Sequence, residues 1–191
     1  MNDKVIIAVI CGTTREGRES IKAARWVAEQ GKKRSDVEII FVDPTELNLP
    51  HDGDNPDTKD PRYTEITAKA DAFYVVTPEY NHSFPGSLKR LLDSEDENYR
   101  HKPVATGGVS SGPWGGARAC EALLHVYHTL WMVAVKPELY FPKVQDLFDE
   151  KGQLKADYTA TYEKAVTAAY DELVWFARLL KSGRSTTTPG Q

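Results

Sequence analysis

Five short apolar runs separated by helix-compatible stretches restrict this chain more than any other feature of its sequence. Residues 5–10, 37–42, 72–76, 103–109 and 132–140 read as strands. Continuous apolar runs of that length are what strands buried on both faces look like. Between them, residues 20–33, 62–69, 84–93 and 116–130 carry apolar side chains at spacings of three and four, as does the closing stretch 156–180. Strands alternating with helices join by right-handed crossovers into a mostly parallel sheet covered on both faces. The expectation is a three-layer α/β sandwich with five parallel strands in the order 2-1-3-4-5.

The chain has 191 residues, enough for one well-packed domain, so residues 1–181 are read as a single unit. The Ser-, Thr-, Gly- and Pro-rich residues 182–191 are read as a disordered tail. A net charge of -4 argues against a nucleic-acid partner. No apolar run approaches the roughly 20 residues that span a bilayer, so no membrane partner is expected and the location read is cytoplasmic. Cys11 and Cys120 are too few for a disulfide framework, and His51, His101, His125 and His128 show no metal-ligand pattern. The polar connection 43–61 is longer than ordinary loops and reads as a lid or a loosely ordered segment.

In the order 2-1-3-4-5 the carboxyl ends of strands 1, 3 and 4 are adjacent, which gathers three separate loops into one site. The first runs Cys11-Gly12-Thr13-Thr14-Arg15-Glu16-Gly17-Arg18-Glu19-Ser20 into a helix. Hydroxyls, amides and arginines at a helix N-terminus suit a phosphate, and a solvated N-capped turn is the alternative. The loop lacks both the Gly-Lys-Ser/Thr element of nucleotide-binding P-loops and the three-glycine dinucleotide fingerprint. The second loop, Thr77-Pro78-Glu79-Tyr80-Asn81-His82-Ser83-Phe84-Pro85-Gly86, is dense in polar and aromatic groups. The third, Ser110-Ser111-Gly112-Pro113-Trp114-Gly115-Gly116-Ala117, sets one indole between glycines that allow close backbone approach to a planar ligand.

These three loops resemble those of the NADPH-dependent FMN reductase family, a flavodoxin-like group with azo-, quinone- and chromate-reducing members. Pro-Glu-Tyr-Asn followed by Pro-Gly and a Leu-Lys helix is the specific element, and the order of elements matches over residues 4–180. The resemblance implies bound FMN as cofactor and NADPH or NADH as co-substrate. By similarity Thr13, Thr14, Arg15 and Arg18 would hold the phosphate. Pro78, Glu79, Tyr80, Asn81 and Ser83 would lie along the ring and ribityl chain, and Ser110, Ser111, Gly112 and Trp114 would close the other side. No side chain is assigned as catalytic, because the flavin carries the chemistry. Glu79, whose charge near a flavin would disfavour its anionic reduced form, is expected to face an arginine or a neighbouring subunit. Arg18 and His82 depart from the family pattern, which commonly has Ser and Gly there.

The implied activity passes hydride from a nicotinamide through FMN to a small-molecule electron acceptor such as a quinone, flavin, azo compound or metal oxyanion. A flavin-binding electron carrier or redox sensor without nicotinamide turnover is the alternative. A phosphate-ester binding domain fits less well, since Tyr80 and Trp114 would lack a planar partner. Aromatic surface around 84–93 and 116–131, together with the resemblance, implies a homodimer or homotetramer.

Overall fold

A computed structural model describes residues 4–51, 54 and 58–186 of the chain. The strands are β1 (Val5–Cys11), β2 (Val37–Val42), β3 (Ala72–Pro78), β4 (Pro103–Val109), β5 (Val133–Ala134) and β6 (Leu139–Phe141). The helices are α1 (Ser20–Lys32), α2 (Pro61–Lys69), α3 (Gly86–Asp93), α4 (Ala117–Thr129), α5 (Val144–Leu147) and α6 (Ala156–Thr186). Every pairing between these strands is parallel, and the sheet runs β2-β1-β3-β4-β5, with β6 also on β4, in the order the sequence leads one to expect.

Alternation along the strands divides the core in two. Ile7, Val9 and Cys11 of β1 with Tyr74 and Val76 of β3 pack against α1 and α6, through Ala24, Val27, Leu173 and Ala177. Ala8 and Ile10 with Phe73 and Val75 pack on the opposite face against Tyr63 of α2, Leu88, Leu91 and Leu92 of α3, and Leu123 and Tyr127 of α4. Successive residues of one strand therefore bury on opposite faces, as the pleat requires. Each fully buried side chain of this size contributes about 1.5–3 kcal/mol.

Two expectations need correction. The run read as one fifth strand is two: Val133 and Ala134 pair with Pro103 and Val104, while Leu139 to Phe141 pair with Gly107 to Val109. Pro137 between them has no N–H for a ladder and interrupts the strand. The residues read as a tail from Ser182 continue α6 as far as Thr186. Arg184 explains the extension, because its Nη1 donates to the His101 carbonyl at 2.5 Å and docks the last turns on the body of the protein. Residues 187–191 lie outside the described residues, as do 52, 53 and 55–57 of the long connection. The described parts of that connection are tied down: Asp43 and Asp60 accept from the backbone N–H groups of Thr45 and Asn48. No helix among the described residues is long and apolar enough to cross a membrane.

Lys102, at the mouth of β4, is buried, and its Nζ donates to the Thr67 carbonyl at 2.7 Å. Burial, helped by Arg184 and Lys181, lowers its pKa from the ordinary 10.5 to about 8. The folded chain thus releases this proton near pH 8 while the unfolded chain keeps it toward 10.5. Between those values the unfolded state binds more protons, so this group makes stability rise with pH. Above the ordinary cysteine value of 9.0 the buried Cys11 and Cys120, whose pKa values burial raises, work in the opposite sense, and above 10.0 so does the buried Tyr63. Denaturant unfolding across pH 7 to 9 should show a rise in wild-type stability that flattens in Lys102→Met; an unchanged slope would refute the assignment.

Candidate functional site

Parallel strands place the loops that follow β1, β3 and β4 on one edge of the sheet. Gly12 starts the first loop with its N–H on the Val76 carbonyl at 2.7 Å. A Cβ there would sit 2.7 Å from Cβ of Thr77, so only glycine lets the loop leave so close to β3. Thr13 is buried, and its Oγ1 accepts from the Arg15 N–H at 3.3 Å and shares a hydrogen bond with the Tyr80 hydroxyl at 3.2 Å. The Arg15 guanidinium lies 5.9 Å from the centre of the Tyr80 ring. The first and second loops are thereby joined.

Glu79 continues β3 by donating its N–H to the Val109 carbonyl. The chain then reverses through Tyr80-Asn81-His82-Ser83, with reciprocal hydrogen bonds of 2.8 and 3.0 Å between Tyr80 and Ser83. Asn81 and His82 take φ of 49° and 68°, the pair of left-handed residues that a type I′ turn needs and that Asn and His accept more readily than most. The turn leaves Asn81 and His82 exposed and aims the Glu79 carboxylate inward. Arg118 meets that carboxylate from α4: its Nε and Nη2 both lie 2.5 Å from Oε1, while its backbone N–H donates to Oε2 at 3.3 Å. Glu79 thus faces an arginine of its own chain. Arg118 Nη1 also lies 2.9 Å from His82 Nε2, and its guanidinium 5.9 Å from the Trp114 ring.

The third loop is held by the segment after β6. Ser110 donates its N–H to the Phe141 carbonyl and accepts at its own carbonyl from Val144. Gln145 Nε2 donates to the Ser111 carbonyl at 3.2 Å. Gly116 ends the loop at φ 82°, where a Cβ would lie 2.3 Å from the Val109 nitrogen.

Together the loops wall a cavity of about 330 Å³. Of the residues singled out from the sequence, Arg15, Arg18, Pro78, Glu79, Tyr80, Ser110 and Ser111 line it. Thr13 reaches it only through Tyr80, and Thr14, Asn81, Ser83 and Gly112 do not line it. Trp114 stands away with two-thirds of its surface exposed, so the ring expected to bracket a ligand opposite Tyr80 is not on this wall. Arg18 is turned toward β2, with Nη2 on Asp43 at 2.5 Å and on Thr45 Oγ1 at 3.5 Å. Its buried Nε and the buried Ser20 Oγ have no hydrogen-bond partner among the described residues. The N-terminus of α1 has no side-chain cap. Cys11, buried beside the loop, has its thiol pushed up by that burial and stays a poor nucleophile.

Sequence reasoning did not single out Ser20, Val144, Gln145 or Arg118. Ser20 was legible as a hydroxyl opening a helix beside a candidate phosphate loop. Val144 and Gln145 carried no signal, because they arrive only through the separate strand β6. A larger groove of about 700 Å³ lies between Trp26 of α1, Phe41 of β2 and Leu154. It shares no lining residue with the three loops and is half walled by charged side chains, so size alone does not make it the site.

The chain matches the family model described as NADPH-dependent FMN reductase over residues 5–146. It is 30% identical over 161 residues to a quinone reductase of Pseudomonas putida, covering 81% of this chain and 87% of that protein. Identity to a 2-hydroxy-1,4-benzoquinone reductase of a Burkholderia species is 33% over 165 residues, 82% and 88% of the two chains. Among solved structures, the flavoenzyme NAD(P)H:(acceptor) oxidoreductase of Paracoccus denitrificans superposes with a TM-score of 0.69 at 22% identity, covering 93% of this chain and 98% of that one. The resemblance carried by the three loops is thus borne out by matches that run through all of them, and the chain belongs to the NADPH-dependent FMN reductase family.

Proposed function

We propose that this protein is an NAD(P)H-dependent oxidoreductase that binds FMN in the three-loop cavity and reduces a small acceptor of the quinone class. The observation that carries the reading is that two residues lining the cavity, Arg18 and Ser20, each hold a buried polar atom, Nε and Oγ, without a partner among the described residues, beside a helix N-terminus with no side-chain cap. Buried polar atoms are rarely left without partners, and this donor set fits a phosphate monoester. Arg15 adds a cation that has no carboxylate partner among the described residues, while Arg18 is already balanced by Asp43.

The chemistry supplied by bound FMN is two-electron uptake from a nicotinamide and release to an acceptor. The chain's contribution is position and electrostatics. Arg15, Ser20 and the α1 amides would hold the phosphate, with Arg18 contributing through Nε rather than as a free fork. Pro78, Glu79, Tyr80 and Ser110 would wall the rest, and the Thr13–Tyr80 hydrogen bond keeps the first two loops at fixed separation. Trp114 stands outside the cavity and Asn81 and His82 lie on an exposed turn, an arrangement of these described residues that suits two substrates entering in turn.

The quinone class follows from the names of the relatives in Pseudomonas putida and Burkholderia. We read the chain as one FMN-binding unit in the cytoplasm, where its two free buried cysteines find a reducing compartment. Exposed Trp114 and Trp131 flank α4 and favour a homodimer or a pair of dimers whose second copy covers them. Light scattering on the purified protein should return a dimer or tetramer; a monomer with full turnover would contradict this.

Arg15→Ala should weaken FMN binding about tenfold or more, the lower end of what a charge-assisted hydrogen bond contributes. Fluorescence quenching of free FMN on titration measures it, and unchanged affinity would remove Arg15 from the site. Anaerobic stopped-flow mixing with NADPH and NADH should bleach the flavin absorbance, and a 1,4-benzoquinone added next should restore it. A bound flavin that neither nicotinamide bleaches would point instead to an electron carrier.

A further inference from the structure

We propose that Arg118 is a positioning residue that sets the reduction potential of FMN in the cavity by holding and neutralising Glu79 on its wall. The inference rests on the assignment of that cavity to FMN. Arg118 itself does not line the cavity; it acts through Glu79, which does.

The Glu79 side chain is only 6% exposed, and Glu79 lines the cavity together with Pro78 and Tyr80, so its carboxylate is held within one side chain's length of that wall. Water therefore does little to screen it, and its effect on a neighbouring ligand depends on the charges that the protein sets beside it. Two are provided. The guanidinium places Nε and Nη2 each 2.5 Å from Oε1, and the N-terminus of α4 presents the Arg118 amide to Oε2 at 3.3 Å. Because Gly116 supplies no side-chain cap, Glu79 takes the place of one from a different loop and so feels the positive end of the helix. Arg118 is fixed in turn by His82 Nε2 at 2.9 Å and the Trp114 ring at 5.9 Å. This gives the exposed His82 and Trp114 a task that direct contact with a ligand in the cavity does not.

A hydride given up by a nicotinamide would bring one negative charge to an FMN held in the cavity, the nicotinamide leaving in its oxidised form. A bare carboxylate on the wall would oppose that charge; a carboxylate paired with Arg118 opposes it far less. The two members of the pair must then act on the potential with opposite signs, whereas two residues that merely brace the loop must act alike.

Redox titration against reference dyes reads this directly in Glu79→Gln, Arg118→Gln and the double variant, each loaded with FMN. Arg118→Gln should lower the two-electron potential and Glu79→Gln should raise it. Each shift is expected to be about tenfold in the reduction equilibrium, which is about 30 mV for two electrons. The double variant should return near the wild-type value. Potentials that stay put, or that move in the same direction in both single variants, overturn the inference while the wild type still holds FMN. If one single variant loses FMN, the sign in the other decides; loss in both also overturns it, since the pair would then serve only to hold the loop. A wild-type chain that takes up no FMN fails the functional reading itself, and this inference with it.

Discussion

Parallel pairing of strands buried on both faces leaves each connection to cross the sheet and return, so the loops after β1, β3 and β4 must share one edge. Everything proposed for this chain depends on that constraint. Those loops are separated by about 65 residues at one step and 30 at the next in the chain, yet Gly12 bonds to Val76 and Glu79 to Val109 through the backbone alone. Side chains then lock what the backbone has gathered: Thr13 to Tyr80, and Glu79 to Arg118. The cavity is the space that these contacts leave.

Electrostatically the cavity is more balanced than its residue types suggest. Arg18 looks like a phosphate ligand by sequence, but Asp43 has taken one end of its guanidinium and leaves Nε for other work. Glu79 looks like an acid or base, but Arg118 and the α4 N-terminus have taken its carboxylate. A site that binds a cofactor rather than attacking a substrate needs this arrangement, in which charges are fixed before the ligand arrives.

The layers, the strand order and the gathering of three polar loops on one edge of the sheet were legible because they follow from apolar periodicity and from which loops are polar. The pairing of side chains was not. Arg18 and Asp43 are separated in sequence, as are Glu79 and Arg118, and nothing in residue type says which cation meets which carboxylate. Trp114 illustrates the same limit: an indole between glycines suggested a ring-stacking wall, and the chain sets it on the outside against Arg118. The break between β5 and β6 was visible in Pro137, but the resumption of pairing on β4 depends on Gly107 and Gly108 lying opposite, a register that no local pattern encodes. Likewise the last turns of α6 read as polar tail, because the contact that orders them is Arg184 on the carbonyl of His101, far away in sequence.

The central claim is that the three-loop cavity, and not the larger groove beside α1, holds FMN. A crystal structure of the protein grown with FMN tests it most directly. The account predicts density for the phosphate against Arg15, Ser20 and the start of α1, with the rest of the molecule walled by Tyr80, Glu79 and Ser110. Flavin density between Trp26, Phe41 and Leu154, with the three-loop cavity filled by water alone, would contradict it.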